Sequence, residues 1–153
     1  NIASHAGMDE EKQLRLAAEA ERKTVEARQR EAARRDRALL ETFTSVKQIE
    51  QSRDRKVSIA TDAISALTPR QKSAQSRLTS LQSEARNFTA RNQAVPPVLT
   101  SNINAANSDL QETNKLITAK QQEIRQIRAQ ADNDIKRYRD LTAPRPVSAS
   151  GGR

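Results

Sequence analysis

Cysteine, glycine and large aromatic rings are rare or missing in this chain of 153 residues. It has no cysteine or tryptophan and three glycines, and its large rings are only Phe43, Phe88 and Tyr138. The apolar residues are almost all Ala, Leu, Ile and Val, which fill a narrow seam between helices but not the thick core of a sheet-containing domain. These absences predict an all-α protein made of long helices.

The missing residue types also remove most kinds of chemistry. Without cysteine there are no disulfides, thiolate zinc sites or thiol nucleophiles. The glycines lie near the termini, so no phosphate-binding loop is available. His5 is the single histidine, and one imidazole completes neither a metal shell nor a catalytic relay. Asp132 and Asp134 are expected to be solvated on an exposed helix. The sequence therefore predicts a non-enzyme with no catalytic residue, cofactor or metal site.

Long apolar runs and a secretion signal are absent too. No stretch approaches the roughly 20 apolar residues that span a bilayer. The first residue is Asn1, with no basic start and apolar segment behind it, so we expect a processed product or an excised piece. Residues 1–8 are expected to be disordered or foreign to the native protein. The Pro-, Ser- and Gly-rich tail 142–153 has the composition of a disordered end.

Residues 9–43 are predicted to form a charged helical arm. Positions 9–37 hold eight acidic and nine basic side chains. Four carboxylates precede a cation by four residues, the better orientation for helix-surface ion pairs: Glu11 with Arg15, Glu19 with Lys23, Glu26 with Arg30, and Glu31 with Arg35. An apolar track is interrupted by charges; it comprises Leu14, Ala18, Val25, Ala32 and Leu39. Two interpretations stay open, a solvated single helix and a helix bound to a partner.

Two further helices are predicted, at 44–92 and 98–141, joined by a proline loop at 93–97. Ser45 and Gln48 form a candidate capping box at the first start. Pro69 predicts either a kink or a stop and restart in the first helix. In both segments apolar residues alternate at spacings of four and three, which is a heptad seam. The principal seam-packing residues are Val57, Ile64, Leu67, Leu78, Leu81, Phe88, Ile103, Leu110, Ile117, Ile124, Ile127 and Tyr138.

The two seams can be laid antiparallel as a coiled-coil helical hairpin of about 40 residues per arm, roughly 60 Å long. The pairing predicted here sets Leu81 against Leu110 and Leu67 against Ile124. It also sets Gln71 against Lys120, a polar layer that fixes register or marks where a further helix packs. Such a narrow seam is marginal alone, so a homo-oligomer is expected.

Several blocks of the sequence resemble uncharacterised proteobacterial periplasmic (envelope) proteins, which carry a signal peptide and a small β-rich domain of unknown function before a charged coiled-coil region. The blocks are 35–46, 49–50 with 53–56, 81–88 and 134–141, within a resemblance spanning about residues 30–141. It implies that the chain is the C-terminal coiled-coil region of such a protein and is periplasmic, with a cytoplasmic location as the alternative.

The net charge of +8 lies mainly on the predicted hairpin, where residues 46–141 carry sixteen basic and ten acidic side chains. Two basic clusters would meet at its open end and form a candidate patch for an anion or a partner: Arg53, Arg55, Lys56, Lys136, Arg137 and Arg139. No stacking aromatics lie among them, so nucleic acid is the less favoured partner. The leading prediction is a scaffold or adaptor that contacts an unidentified protein. The alternatives are a secretion-type hairpin stalk or chaperone, and a nucleic-acid binder.

Overall fold

The structure, a computed structural model, describes residues 2–145, with side chains from Ser4 onward. Three α-helices follow one another: α1 (Ile2–Thr42), α2 (Val46–Ala90) and α3 (Pro97–Thr142). Within the described residues there is no strand. The predicted all-α class is confirmed.

The first helix starts earlier than the sequence pattern indicates. We expected residues 1–8 to be disordered or foreign to the native protein, whereas the structure has α1 beginning at Ile2. No proline lies in this stretch, and an exposed Gly7 costs only about 1 kcal/mol relative to alanine, so the helix continues toward the chain start. At the other end, α3 stops at Thr142, and residues 146–153 of the predicted disordered tail lie outside the described part.

Residue contacts divide the chain into two compact units. Of the described residues, the first unit contains 2–46 and 134–145, and the second contains 47–133. In the first unit, α1 carries three of the predicted ion pairs: Glu11–Arg15 at 3.9 Å, Glu19–Lys23 at 3.6 Å and Glu31–Arg35 at 3.5 Å. Glu26 and Arg30, both in the described part of α1, do not come within ion-pair distance. Pairs of this kind stabilise a helix by about 0.2–0.5 kcal/mol each.

The last turn of α1 is closed by side-chain and backbone hydrogen bonds. The Phe43 N–H donates to the Leu39 carbonyl at 3.0 Å, and the Thr42 Oγ1 donates to the Ala38 carbonyl at 2.6 Å. Three residues, 43–45, then lead to Val46, the first residue of α2. Ser45 therefore occupies the position that precedes the first helical turn, where serine is favoured.

Pro69 lies inside α2, which is assigned as one continuous helix of 45 residues. The stop and restart that we allowed at this position is therefore wrong. Proline lacks a backbone N–H, so the helix loses one backbone hydrogen bond at this position. The turns on either side keep their backbone hydrogen bonds, and packing of the apolar stripe offsets the lost hydrogen bond. The Thr68 hydroxyl donates to the Ile64 carbonyl at 2.9 Å in the same turn.

In the second unit, α2 and α3 pack against each other around a small apolar cluster. Four buried residues form it, Ala74, Leu78, Ala106 and Leu110, and the partly buried Leu81 and Ile103 pack against them. Near the connecting loop, Gln71 of α2 contacts Asn114 of α3. Farther from the loop, Arg53 of α2 interacts electrostatically with Asp132 of α3. This order of contacts makes the two helices antiparallel.

The register differs from the predicted pairing by one heptad. Gln71 Nε2 donates to Asn114 Oδ1 at 2.6 Å, whereas Lys120 pairs with Glu123 at 3.0 Å, so the predicted layer of Gln71 and Lys120 is wrong. In the matching register Ala74 faces Leu110, Leu78 faces Ala106 and Leu81 faces Ile103, the six residues of the cluster. A heptad pattern superposes on itself after seven residues, so spacing alone does not separate the two registers.

The turn after α2 sets this register. Asn92 adopts a φ of 55°. The Asn92 N–H donates to the Thr89 carbonyl at 3.1 Å and the Gln93 N–H to the Phe88 carbonyl at 2.9 Å. These two bonds are a Schellman cap with asparagine in the left-handed position. We expected this helix to run to residue 92, but the cap ends it at Ala90. Pro97 then opens α3 in the first helical position, where proline is favoured.

Two substitutions of Asn92 test whether the left-handed conformation of this residue determines the stability of the cap. Asn92→Val should lower the free energy of unfolding by about 1–2 kcal/mol, because a β-branched residue is strained at positive φ. Asn92→Gly should leave it equal or slightly higher, since glycine has no Cβ to clash. Urea unfolding followed by circular dichroism measures both. Equal losses for the two variants would show that the left-handed cap is not what matters.

Candidate interaction surfaces

The predicted seam residues lie at protected positions of α2 and α3. Three of the predicted seam-packing residues, Leu78, Leu110 and Ile117, are at most 9% exposed. The remaining predicted seam-packing residues are half-buried: Val57, Ile64, Leu67, Leu81, Phe88, Ile103, Ile124, Ile127 and Tyr138. A narrow stripe of each helix is thus covered while the other faces stay in solvent.

Thr113 is the most completely buried polar residue that the structure describes, at 0% exposure. Its Oγ1 donates to the Asp109 carbonyl of its own helix at 2.7 Å, which satisfies the hydroxyl away from water. In the observed register it lies opposite Gln71. The polar layer of the pair therefore consists of Gln71 with Thr113 and Asn114.

A half-exposed ion pair joins the two helices beside this layer. Arg70 donates from Nη2 at 2.6 Å and from Nε at 3.2 Å to the same carboxylate oxygen of Asp109. The hydrogen bond to Asp109 raises the pKa of Arg70, and the charge of Glu112 adds to the effect. Because both side chains are more than 40% exposed, the pair fixes geometry more than it adds stability.

The first cluster of the candidate basic patch belongs to the second unit. Arg53 Nε donates to Asp54 Oδ1 at 3.0 Å, and this hydrogen bond raises the pKa of Arg53. A shallow groove beside it is lined by Val57 and four charged side chains: Arg53, Asp54, Arg128 and Asp132. Two cations and two carboxylates balance in this groove. Arg55 and Lys56 are exposed.

The second cluster, Lys136, Arg137 and Arg139, belongs to the first unit. Its middle residue, Arg137, is paired with a carboxylate. Arg137 donates from Nε at 2.8 Å and from Nη2 at 2.7 Å to the two carboxylate oxygens of Asp36. This bidentate pair lowers the pKa of Asp36 and raises that of Arg137. Lys136 and Arg139 are exposed. Since Arg53 and Arg137 are both neutralised locally, the field that either cluster offers a polyanion is weakened.

The Asp36–Arg137 pair predicts a pH dependence. A carboxyl whose pKa is lowered below the usual 3.8 stabilises the fold above that value and loses this effect as pH falls through the lowered pKa. Asp36→Asn should therefore reduce stability at neutral pH and flatten the decline below about pH 4. Thermal unfolding from pH 7 to 2 measures this, with Asp9→Asn on exposed helix as control. An unchanged acid limb for Asp36→Asn would contradict the assignment.

The surface of α1 carries a signal that the analysis of the sequence missed. Every side chain from Ser4 to Arg30 is exposed, including Leu14 at 71%, Leu16 at 56% and Val25 at 43%. Charge is also divided along this helix. Residues 9–21 hold five acidic and two basic side chains, and residues 22–37 hold three acidic and seven basic ones. The division is not visible in the net charge of residues 9–37, because the negative charge of the first half nearly cancels the positive charge of the second.

Two searches for other kinds of site concern residues 2–145 only. None of the helices there combines the length and apolar character needed to cross a membrane. Likewise, in this part of the chain no three or more acidic or histidine side chains converge to hold a metal ion.

Comparison with known proteins gives no match. No protein family model, no curated protein and no solved structure is significantly similar to the chain.

Proposed function

We propose that the chain is a non-enzymatic coiled-coil scaffold or adaptor that mediates protein–protein contacts and associates with itself. The observation that carries the proposal is the exposed stretch of α1 from Ser4 to Arg30, which holds large apolar side chains in solvent. Exposed apolar residues that recur on one helix face are typical of surfaces that bind another helix.

The packing of α2 against α3 supports the coiled-coil part of the proposal. The apolar stripes of α2 and α3 are buried by packing within one chain, and Leu78 is 6% and Ile117 8% exposed. Protected positions recur at spacings of four and three on both helices, which is the pattern of a coiled coil. Such a pair leaves the outer faces of both helices in solvent.

A site in the bacterial cell envelope follows from the resemblance of residues 30–141 to periplasmic coiled-coil regions. Expressed from its native gene, the protein should fractionate with the periplasm and become sensitive to protease once the outer membrane alone is opened. Protection that lasts until the inner membrane is also lysed, together with the distribution of a cytoplasmic marker, would instead place it in the cytoplasm.

The scaffold proposal is tested by photo-crosslinking in cells. A photoreactive amino acid at Leu14 or Val25 should capture a protein, either a second copy or a different partner, identified by mass spectrometry. The matched control is Ile59 on α2, which is 72% exposed but lies outside the apolar face of α1. Capture that is equal at all three positions, or absent at Leu14 and Val25, would contradict the proposal.

A further inference from the structure

The face of α1 that bears Leu14 and Val25 has charges at the alternate seam positions. Going along the helix, Leu14, Glu21 and Arg28 lie seven residues apart on one edge of this face, and Ala18 and Val25 lie on the other. All five are exposed. In a parallel, in-register pair of such helices, Glu21 would meet Glu21 and Arg28 would meet Arg28, so like charges would oppose that arrangement.

An antiparallel pair removes this conflict. When Leu14 of one helix faces Val25 of the other, the reverse contact forms by symmetry, and Ala18 faces the stem of Glu21. In antiparallel helix pairs, residues on one edge of the apolar face pack against residues on the opposite edge of the partner's face. The pairing uses the stretch from residue 9 to residue 30, which lies within the fully exposed part of α1.

The charges agree with the same alignment. It places Glu11 against Arg28 of the other helix, and this contact forms twice by symmetry. Residues 9–21 of one helix, with five acidic and two basic side chains, then lie alongside residues 18–30 of the partner, which hold three acidic and four basic ones. Arg15, on the flank, is 3.9 Å from Glu11 of its own helix, which offsets its charge.

From this complementarity we propose that residues 9–30 of α1 dock on the same segment of a second copy of the chain in antiparallel orientation. The inference rests on the proposed function, to which it adds the surface, the partner and the orientation. Leu14 and Val25 supply the apolar contacts, and Glu11 with Arg28 sets the direction.

Cysteine crosslinking tests the orientation, because the chain has no cysteine of its own. Leu14→Cys and Val25→Cys are made as separate proteins. Mixed and oxidised, they should give a disulfide-linked heterodimer, whereas Leu14→Cys alone should not crosslink. Two Leu14 positions lie about 16 Å apart in the antiparallel pair, well beyond disulfide reach. Efficient crosslinking of Leu14→Cys alone would show a parallel pair and overturn the inference.

Charge reversal tests the specificity on the uncrosslinked chain. Glu11→Arg should weaken self-association by about tenfold or more, since two attractive contacts become repulsive. Arg28→Glu should do the same, and the double variant should restore it. Glu19→Arg, which makes the same charge change away from the seam, is the control. Analytical ultracentrifugation over a concentration series gives the dissociation constants.

The outcomes separate this inference from the proposed function. Self-association that survives Glu11→Arg, or fails to recover in the double variant, overturns docking through α1 while the scaffold proposal stands. A chain that stays monomeric at all concentrations overturns the inference and the self-association. Capture of a different protein at Leu14 and Val25 in cells would then still support an adaptor.

Discussion

Leu110→Ala is expected to lower the free energy of unfolding by about 2–5 kcal/mol, enough to unfold much of the α2–α3 pair. Leu110 is 9% exposed and belongs to the cluster with Ala74, Leu78 and Ala106. Truncation removes its transfer free energy and leaves a cavity in a seam only one side chain wide, where no second layer is present to collapse into it. Urea unfolding followed by circular dichroism at 222 nm measures the change.

Leu116→Ala provides the matched control on the same helix. Leu116 is 43% exposed, so the same truncation should change stability by less than about 1 kcal/mol. Similar losses for Leu110→Ala and Leu116→Ala would mean that the cluster around Leu110 does not hold the two helices together.

Thr113→Asp is expected to have the second large effect, a loss of about 3–5 kcal/mol at pH 7, because it places an uncompensated charge at a buried position. Thr113 has no exposed surface, and the nearby Arg70 is already bound to Asp109. The short side chain does not reach solvent as a lysine would. Thermal or urea unfolding measures the loss.

Two comparisons isolate the charge in this prediction. Thr113→Val keeps the shape and removes only the hydroxyl bond to the Asp109 carbonyl, so it should change stability by no more than about 1 kcal/mol. Burial raises the pKa of an introduced carboxyl, so the penalty of Thr113→Asp is present above that raised pKa and shrinks as pH falls below it. A penalty that does not diminish toward pH 3 would point to a steric cause.

The sequence predicted the helices and the protected stripe because both follow from local rules. Spacings of four and three select one face of a helix whatever packs against it, so residues such as Leu78 and Ile117 are identified without knowledge of a partner. The boundary between α1 and α2 was equally accessible, since Thr42 to Ser45 break the pattern and suit a helix start. These features need no information from distant parts of the chain.

The register and the cap at Asn92 depend on information that periodicity lacks. Two heptad seams fit equally well after a shift of seven residues, and the geometry of the turn decides between them. That geometry depends on Asn92 adopting positive φ, a conformation that asparagine tolerates but does not require. Pro69 inside α2 is a similar case, because packing along the whole helix outweighs one lost backbone bond.

The candidate basic patch shows that the pairing of charged side chains also depends on contacts that the sequence pattern does not reveal. Sequence spacing grouped Arg137 with its basic neighbours, but the bidentate contact with Asp36 joins residues far apart in the chain. Charge counts along a sequence do not reveal which cations have a carboxylate partner. The division of charge along α1, by contrast, is visible in the sequence once its two halves are counted separately.

The central claim is that α2 and α3 pack their apolar stripes against each other within one chain, in the register that sets Leu78 opposite Ala106. Oxidation of the double variant Leu78→Cys with Ala106→Cys in dilute solution tests it most directly. We predict rapid formation of an intrachain disulfide, and none for Leu81→Cys with Leu110→Cys, whose positions are offset by about 10 Å along the helices. A disulfide in the second pair but not the first, or only interchain products, would contradict the account.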